Sequence, residues 1–321
     1  MIFGSGGPEG RQGFTMRRRY NILKQLVDIF STSILIEALA PSKLSTVSGY
    51  KSVKELSLVS FAYTPHLIKE PLEGVVKDAL GNRGFRLGPS LRKYILNAIN
   101  HPLVRTNTAF GYVMLAAPLV YILVKACQTD SRLGLVESLI ERYMPSVVEG
   151  LKKEPCTDFY TALRKASMSH MGEYFGTIPS ATSADRGTLR KTSLWKVLRD
   201  SMHMDLVSHE IVTGFKRVLK VCRYLRDEVP EGDLLQRVSS VHAEMLKEHV
   251  DTLVLKSRCL NTALLVKYLS LARPYLNDGV WETLDAHVRR YGINPGTTSD
   301  IVAAGLALYQ VTAYIIEDPQ R

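Results

Sequence analysis

The residues with the clearest chemical potential lie near the C-terminal end, where an apolar stretch begins. Residues 294–296 read Asn-Pro-Gly, a turn sequence, because proline fixes φ and glycine permits unusual dihedral angles. Three hydroxyl residues follow at 297–299, and then Asp300. A helix that starts here offers unpaired N–H groups, hydroxyl donors and a positive dipole end, which together suit a phosphate. The alternative is plain capping, with Thr297 as the N-cap and Asp300 as its acidic partner.

Two further segments carry polar residues where apolar helices begin or are interrupted. Asn107 and Thr108 precede the most apolar stretch, and Gly111 follows one turn after Asn107, which allows a ligand or another helix to approach closely. Asp251 interrupts the apolar run VDTLVLK, so its carboxylate must be paired, hydrated or bound to a metal. The alternatives are helix capping and packing for the first segment and a surface helix position for Asp251.

A fourth segment holds two acidic residues and a histidine on one predicted helix. Asp205 and His209 are four residues apart and share a helix face, while Glu210 and Gly214 share another. Both carboxylates reach one ligand only if that ligand lies between the two faces. The spacing lacks an HExxH pattern or a comparable triad, so it does not indicate zinc.

Helical elements must position these residues, because apolar residues recur at three- and four-residue spacing along most of the chain. Alternating strand patterns around Asn-Gly or Asp-Gly turns are absent. The sequence therefore predicts an all-α protein, a single multi-helix bundle domain. The predicted helices cover a stripe from Ile22 to Ile34 and then roughly 53–63, 66–79, 89–99, 106–126, 131–150, 157–168, 193–226, 233–256, 259–273, 278–291 and 298–316.

The predicted domain organisation is simple. Residues 1–19 are rich in Gly and Arg and are interpreted as a flexible tail, and residues 20–321 form the helical domain. The segments 81–89 and 172–192 lack apolar periodicity and are predicted to be surface or active-site loops.

Composition narrows the class of protein further. With 45% hydrophobic and 22% charged residues in 321, the chain is neither disordered nor fibrous. The four cysteines are far apart and are predicted to be unbridged thiols in a reducing, cytoplasmic compartment. The apolar stretch 110–124 has fifteen residues, fewer than the roughly 20 that a membrane span requires. We therefore expect a buried helix of a soluble protein and no membrane association.

The net charge of +10, from 41 basic and 31 acidic residues, indicates an anionic partner. Nucleic acid is one candidate, supported by the run Arg17–Arg19, and it predicts steeply salt-dependent binding. However, the sequence holds no zinc-finger, RRM or similar signature, so nucleic acid is not the favoured partner. A polyphosphate small molecule fits the same charge.

Taken together, these segments resemble the triphosphoribosyl-dephospho-CoA synthase family, in its archaeal-type branch. The resemblance covers about residues 25–316 and is most specific in the closing segment. The matching elements, in chain order, are Glu37 with Lys43, Asn107-Thr108-Ala109-Phe110-Gly111, Glu210 with Gly214-Phe215, Asp251-Thr252, and Asn294-Pro295-Gly296-Thr297-Thr298-Ser299-Asp300.

The resemblance implies an all-α transferase that cleaves the N-glycosidic bond of ATP. It would transfer the triphosphoribosyl group to the 2′-hydroxyl of dephospho-CoA or a related acceptor and release adenine, with Mg²⁺ on the triphosphate. The partners implied are therefore ATP and a dephospho-CoA-like acceptor, and a homo-oligomer is left open. The residue roles implied are catalysis by Glu37, Asp205 and Glu210, nucleotide and phosphate binding by Lys43, Asn107, Thr108, Gly111, Lys256, Asn294, Gly296, Thr297 and Thr298, and Mg²⁺ binding by Asp251 and Asp300.

Departures from the family pattern keep a second interpretation open. Ser42 and Leu44 flank Lys43 where the family has prolines, and Ala109-Phe110 stands where its bacterial members have His-Lys. A diverged homologue that binds a nucleotide or a CoA-like ligand without turnover is therefore the alternative function, and the sequence does not name the acceptor.

Overall fold

The computed structural model describes residues 8–49, 51–129, 135–166, 177–228 and 233–316, with the backbone alone for 8–19. These ranges hold fifteen α-helices, no β-strand and three isolated β-bridges, which confirms the predicted all-α fold. The helices are α1 (Pro8–Leu39), α2 (Leu58–Leu80), α3 (Gly88–Asn100), α4 (Phe110–Thr129), α5 (Val136–Lys153), α6 (Thr157–Lys165), α7 (Arg186–Lys191), α8 (Leu194–Ser201), α9 (Leu206–Thr213), α10 (Lys216–Arg223), α11 (Leu234–Glu248), α12 (Thr252–Ser257), α13 (Leu260–Ala272), α14 (Asp278–Arg290) and α15 (Gly296–Val311).

Two apolar helices, α4 and α15, form the centre of the molecule. Nearly all of α4 is buried, and α15 packs against α1, α4, α10 and α11. By length and composition, Phe110–Thr129 and Gly296–Ile316 could each cross a membrane, but 89% and 72% of their apolar windows are buried inside the protein. Such burial is what the core helices of a globular domain show. The predicted buried helix over 110–124 is therefore confirmed as part of α4.

A smaller hydrophobic cluster lies beside the main core and is built by the segment after α1 together with α11–α14. Leu44, Trp281 and Ile293 belong to this smaller cluster, whereas Ile301 belongs to the main one. The chain between Ile293 and Ile301 therefore passes from one cluster to the other. Because the closing segment lies in this stretch, the start of α15 is held at the junction of two packed regions.

The prediction of one helix over 193–226 is wrong, because three helices, α8, α9 and α10, occupy this range. Asp205 precedes α9, and its carboxylate accepts the N–H of Ser208, which makes it an N-cap. The helix ends at Gly214, whose φ of 81° lies in the left-handed region, and Phe215 follows with a φ of 62°. Apolar spacing continues across these breaks, so periodicity alone does not reveal them.

The predicted helix over 233–256 also divides, because α11 ends at Glu248 and α12 begins after Asp251. The predicted loop 172–192 contains the short helix α7, and its residues 172–176 lie outside the described residues.

The remaining predictions concern the chain start and the cysteines. Helix α1 begins at Pro8, so part of the segment predicted as a tail has a helical backbone, and residues 1–7 lie outside the described residues. All four cysteines are unbridged, as predicted, and Cys259 is the exposed one.

Candidate active site

A cavity of about 300 Å³ opens where the start of α15 meets α1, α4, α9 and α12. Most of the predicted site residues line it, although they are widely separated in the sequence. Those that line it are Glu37, Asn107, Thr108, Gly111, Asp205, Lys256, Asn294, Gly296, Thr297 and Asp300. Those that do not are Lys43, Glu210, Asp251 and Thr298.

Asp251 is almost fully enclosed and joins two helices. Its Oδ1 accepts the backbone N–H groups of Leu253 (2.9 Å) and Val254 (3.0 Å), which makes it the N-cap of α12. Its Oδ2 accepts the N–H and the hydroxyl of Thr298, both at 2.8 Å, in the first turn of α15. These four bonds use most of the acceptor capacity of a carboxylate. The structure therefore places Asp251 in a helix-joining role rather than in the predicted metal site, and the surface alternative is wrong.

The first turn of α15 presents one free proton to the cavity. Thr297 Oγ1 accepts the Leu253 N–H at 3.1 Å and the Thr252 hydroxyl at 3.3 Å, which leaves its own O–H as a donor. Pro295, and not Thr297, occupies the N-cap position, so the predicted capping alternative is wrong. Thr297 therefore retains the capacity to bind an anionic oxygen.

Asp300 lies where the start of α4 comes closest to α15. A Cβ atom on Gly111 would overlap the Asp300 carboxylate, so the missing side chain allows this approach. Burial raises the pKa of Asp300 well above its usual value, the negative charges of Glu37 and Asp251 add to this effect, and a hydrogen bond from the Tyr112 backbone offsets it only in part. At neutral pH such a carboxyl group keeps its proton or takes a cation as partner.

Glu37, in the last turn of α1, and Lys43, in the segment after it, form a buried ion pair. Lys43 Nζ donates to Glu37 Oε1 and to the Glu37 carbonyl oxygen, both at 2.6 Å. Burial raises the pKa of Glu37 and lowers that of Lys43, and the attraction between them opposes both shifts. Glu37 lines the cavity and Lys43 does not, so Lys43 meets this cavity through Glu37, and its phosphate-binding role stays a prediction.

A second ion pair, between Asp205 and Lys256, lies in the cavity wall. Lys256 Nζ donates to Asp205 Oδ1 at 2.8 Å, and the Ser208 N–H and hydroxyl donate to Oδ2 at 3.0 and 2.8 Å. Burial by itself would raise the pKa of Asp205, but Lys256 and Ser208 together hold it below its usual value. Asp205 is therefore ionised at neutral pH.

Glu210, the third predicted catalytic acid, is fully buried and lies outside the cavity wall. It accepts the N–H groups of Arg217 (2.8 Å) and Val218 (3.1 Å) and the Arg217 guanidinium at 3.0 Å. These bonds satisfy the start of α10 and pair the buried charge. Glu210 thus caps the start of α10 and lies outside the cavity lining, while its catalytic role stays a prediction.

Asn107 and Thr108 form the polar entry to α4. Asn107 Oδ1 accepts the Phe110 N–H at 3.0 Å, so the capping alternative holds for this residue, although it still lines the cavity. Thr108 Oγ1 lies 2.7 Å from the hydroxyl of Thr64 and 3.0 Å from that of Tyr94. The Tyr94 hydroxyl also accepts the N–H groups that follow Asn107. Sequence reasoning missed Tyr94, because an aromatic residue on a helix face usually indicates only a core position.

Ser299 and His242 are two further site residues that the sequence analysis did not single out. Ser299 lines the cavity, and its Oγ lies 3.3 Å from His242 Nε2 and also hydrogen-bonds Glu37. Burial lowers the pKa of His242 well below its usual value, so the ring is neutral. The position of Ser299 inside the closing segment was a usable signal, whereas the isolated His242 offered none.

The rest of the cavity lining is mostly apolar and partly aromatic. The rings of Phe110 and Phe159 meet edge to face, with their centroids 6.0 Å apart. The other apolar lining residues include Met114, Leu163, Ile178, Pro179, Val197, Met204 and Val207. A cavity lined by both convergent polar groups and apolar side chains suits an amphipathic organic ligand such as a nucleotide.

The charges in the wall decide what such a ligand requires. In the described part of the chain, the charged side chains that line the cavity are three acids, Glu37, Asp205 and Asp300, and the single base Lys256. A polyphosphate would therefore require added positive charge, and Mg²⁺ is commonly held by one or two carboxylates together with phosphate oxygens. Asp300 fits that role and Asp251 does not. No cluster of three or more His, Cys, Asp or Glu suited to a metal occurs among the described residues, so the protein alone does not form a complete cage.

The domain is all-α, and one cavity holds both Glu37, whose pKa is raised, and Asp205, whose pKa is lowered. A cavity that holds acids with pKa values shifted in opposite directions is typical of an enzyme active site. A family model described as ATP:dephospho-CoA triphosphoribosyl transferase matches residues 23–317. Because this match covers most of the chain, the protein belongs to that family of transferases, and the resemblance stated from the sequence is confirmed.

A solved structure supports the same fold. The chain is similar to an Archaeoglobus fulgidus protein provisionally described as a triphosphoribosyl-dephospho-CoA synthase, with a TM-score of 0.52 and 17% sequence identity. The similarity covers 75% of this chain and 95% of the other. No curated protein sequence matches the chain.

Proposed function

We propose that the protein cleaves the N-glycosidic bond of ATP, transfers the triphosphoribosyl group to the 2′-hydroxyl of dephospho-CoA or a related acceptor, and releases adenine. The family supports triphosphoribosyl transfer from ATP to dephospho-CoA in general. The observation that carries the finer proposal is the presence of Glu37 and Asp205 in one cavity with opposite pKa shifts. Two carboxyl groups whose environments push their pKa values apart can take different roles in one reaction.

In the proposed reaction the bond from ribose C1′ to adenine breaks, and a bond from C1′ to the acceptor oxygen forms. Glu37, with its raised pKa, suits the base that takes the hydroxyl proton. Asp205 remains ionised and suits the stabilisation of positive charge on the ribose in the transition state. Adenine leaves with one proton, so the proton released by the acceptor balances the reaction.

The polar groups in the cavity lining suit the triphosphate. The Thr297 hydroxyl and the Lys256 ammonium supply donors, and Asn107 lines the same space. Asp300, together with phosphate oxygens, would hold the proposed Mg²⁺, which when bound would neutralise the charge of the triphosphate. Asp251 supports this arrangement indirectly, because its bonds to Thr298 fix the first turn of α15.

The test is an incubation of the full chain with Mg²⁺, ATP labelled in adenine and dephospho-CoA. We expect free adenine on chromatography and an acceptor product whose mass has risen by the triphosphoribosyl group. Glu37→Gln should lower the rate by about 10²–10⁴-fold, the usual contribution of a general base. Glu55→Gln is the matched control, because Glu55 is exposed. Adenine release that is unchanged in Glu37→Gln would exclude Glu37 as the base.

The second candidate is a homologue that binds a nucleotide without turnover. The observation that favours it is the engagement of Lys43, Glu210 and Asp251 in internal bonds instead of in the cavity wall. In that case Mg·ATP would raise the melting temperature, because a ligand that binds only the folded state stabilises it. No adenine would be released with dephospho-CoA or with other hydroxyl acceptors.

A further inference from the structure

A second, smaller cavity of about 180 Å³ lies on the other side of the Glu37–Lys43 ion pair. Glu37 lines the first cavity and Lys43 lines the second, so one ion pair separates the two spaces. The second cavity lies between the segment after α1 and the helices α11, α13 and α14. Its lining residues are Ser42, Lys43, Leu44, Ser239, Ser240, His242, Ala243, Leu246, Ser270, Arg273 and Trp281.

The charge in this second cavity is opposite to that in the first. Lys43 and Arg273 line it, and no Asp or Glu does so in the chain as far as the structure describes it. Arg273 donates to Asp278 at 2.7 Å, but the Asp278 side chain is 89% exposed, so water screens that pair. The Arg273 guanidinium also lies 5.1 Å from the centroid of the Trp281 ring. Four serine hydroxyls complete the lining, but those of Ser239, Ser240 and Ser270 donate to backbone carbonyl oxygens, so the attraction for an anion comes from the two cations.

Two side chains of this lining have buried polar atoms without a hydrogen-bond partner among the described residues. They are Nε1 of Trp281 and Nδ1 of His242, on side chains that are 4% and 0% exposed. The indole N–H is always a donor, and a neutral imidazole nitrogen takes either role according to its tautomer. Buried polar groups are nearly always paired, so these two atoms indicate a ligand or ordered water in the cavity. The volume is large enough for several waters and therefore for a phosphate group.

We propose that this second cavity is a binding site for a small oxyanion of the phosphate type, formed by Lys43, Arg273 and the indole N–H of Trp281. The second cavity shares no lining residue with the first, so the proposed anion site is distinct from the site of the transfer reaction. His242 and Lys43 nevertheless link the two cavities through Ser299 and Glu37. An anion bound beside Lys43 would therefore contact the residue that pairs with Glu37. Ordered water alone is the competing occupant, and the test distinguishes the two.

Inorganic phosphate is the probe, and isothermal titration calorimetry on the full chain is the measurement. We expect one phosphate per chain at this site. Arg273→Gln, which removes a cation, and Ser240→Glu, which adds a carboxylate at the exposed rim, should each weaken phosphate binding at least tenfold. Lys256→Gln, which removes the cation of the first cavity, should leave this binding unchanged. Thermal unfolding without phosphate checks that the variants fold.

A second readout uses the two tryptophans of the chain. In Trp195→Phe, Trp281 is the only indole, and we expect its fluorescence to change as phosphate binds with the affinity measured by calorimetry. Absence of phosphate binding to the unmodified chain would overturn the proposal in favour of water alone. Binding that is lost in Lys256→Gln but retained in Arg273→Gln and Ser240→Glu would assign the phosphate to the first cavity and overturn it equally.

Discussion

Two acidic residues, Asp251 at the start of α12 and Asp300 in the first turns of α15, were predicted to share one metal, but their surroundings are opposite. Asp251 is bonded by four donors from two helices and does not line the cavity. Asp300 lies beside Gly111, lines the cavity and has other acids as its nearest charges. Asp251, with four internal hydrogen-bond donors, therefore holds the site together. Asp300, which lines the cavity, remains available to bind a ligand.

This difference gives each residue a distinct expected phenotype. Burial and the nearby acids Glu37 and Asp251 raise the pKa of Asp300, so its carboxyl group stabilises the fold little, and an amide in its place should cost the fold little. Altering Asp251 leaves buried donors of Thr298 without an acceptor, so the fold should suffer first and the activity only through it. Stability and activity measured on the same variants therefore separate the two roles.

The largest expected effect is that of Asp300→Asn on activity. We expect adenine release to fall by about 10²–10⁴-fold, because the variant cannot pair with the cation on the triphosphate. The melting temperature without ligand should stay equal or rise, because an amide cannot ionise in this buried acidic cluster. The measurement is adenine release beside thermal unfolding. A fully active Asp300→Asn would place the cation elsewhere.

Gly111→Ala tests the position of Asp300 without changing the Asp300 side chain itself. The added Cβ would overlap the Asp300 carboxylate and move it, and a displacement of about 1 Å can cost about 10²-fold in rate. Gly74→Ala is the matched control, because a Cβ there meets no atom within 4 Å. Equal adenine release by both variants would show that the contact between Gly111 and Asp300 does not control the site.

Asp251→Asn should act mainly on stability. The new amide group faces the Thr298 N–H and hydroxyl with donors of its own, and a buried donor without an acceptor costs about 1–3 kcal/mol. Urea unfolding should show this loss, and any fall in activity should be recovered partly by saturating Mg·ATP. A stable Asp251→Asn whose Mg²⁺ binding is lost would reverse the assignment and restore the predicted metal role.

The sequence predicted the helical fold well, because periodic apolar residues report which faces are buried. It failed where one polar side chain ends or starts a helix inside a continuous apolar pattern. Asp205 and Asp251 are both N-caps of this kind, and in each case the pattern indicated one longer helix. The residue types were visible, but the competition between a side-chain cap and a continuing helix depends on tertiary contacts.

For the site, the sequence identified which segments converge but not which atoms are free. Ten of the predicted site residues line the cavity, yet Lys43 and Glu210 are engaged by buried partners. Those partners depend on the fold, since Lys43 is enclosed beside Glu37 and Glu210 is held by the start of α10. Tyr94 and His242 lacked any motif, so only their contacts reveal them.

A third buried acid, Glu154, extends the comparison to a residue that lines neither cavity. Glu154 ends α5, and its two carboxylate oxygens accept the N–H groups of Leu87 and Gly88 at 2.8 and 2.7 Å. It thus caps α3 much as Asp251 caps α12. Burial raises the pKa of Glu154 to about 7, and these two hydrogen bonds lower it only in part.

The smallest expected effect is therefore a change of stability with pH that leaves the catalytic rate untouched. Because its pKa is about 7 in the folded state and near 4.5 for the unperturbed group, the folded protein binds the extra proton between these values. The stabilisation from this group is complete below about pH 4.5 and is lost as the pH rises through 7, by at most about 1.4 kcal/mol per pH unit. Glu154→Gln should flatten urea-unfolding stability between pH 5 and 7, whereas Glu149→Gln, an exposed change on the same helix, should not. If Glu154→Gln kept the full slope, the pH dependence would have to come from acids at the cavity, and Asp300 would be the next residue to test.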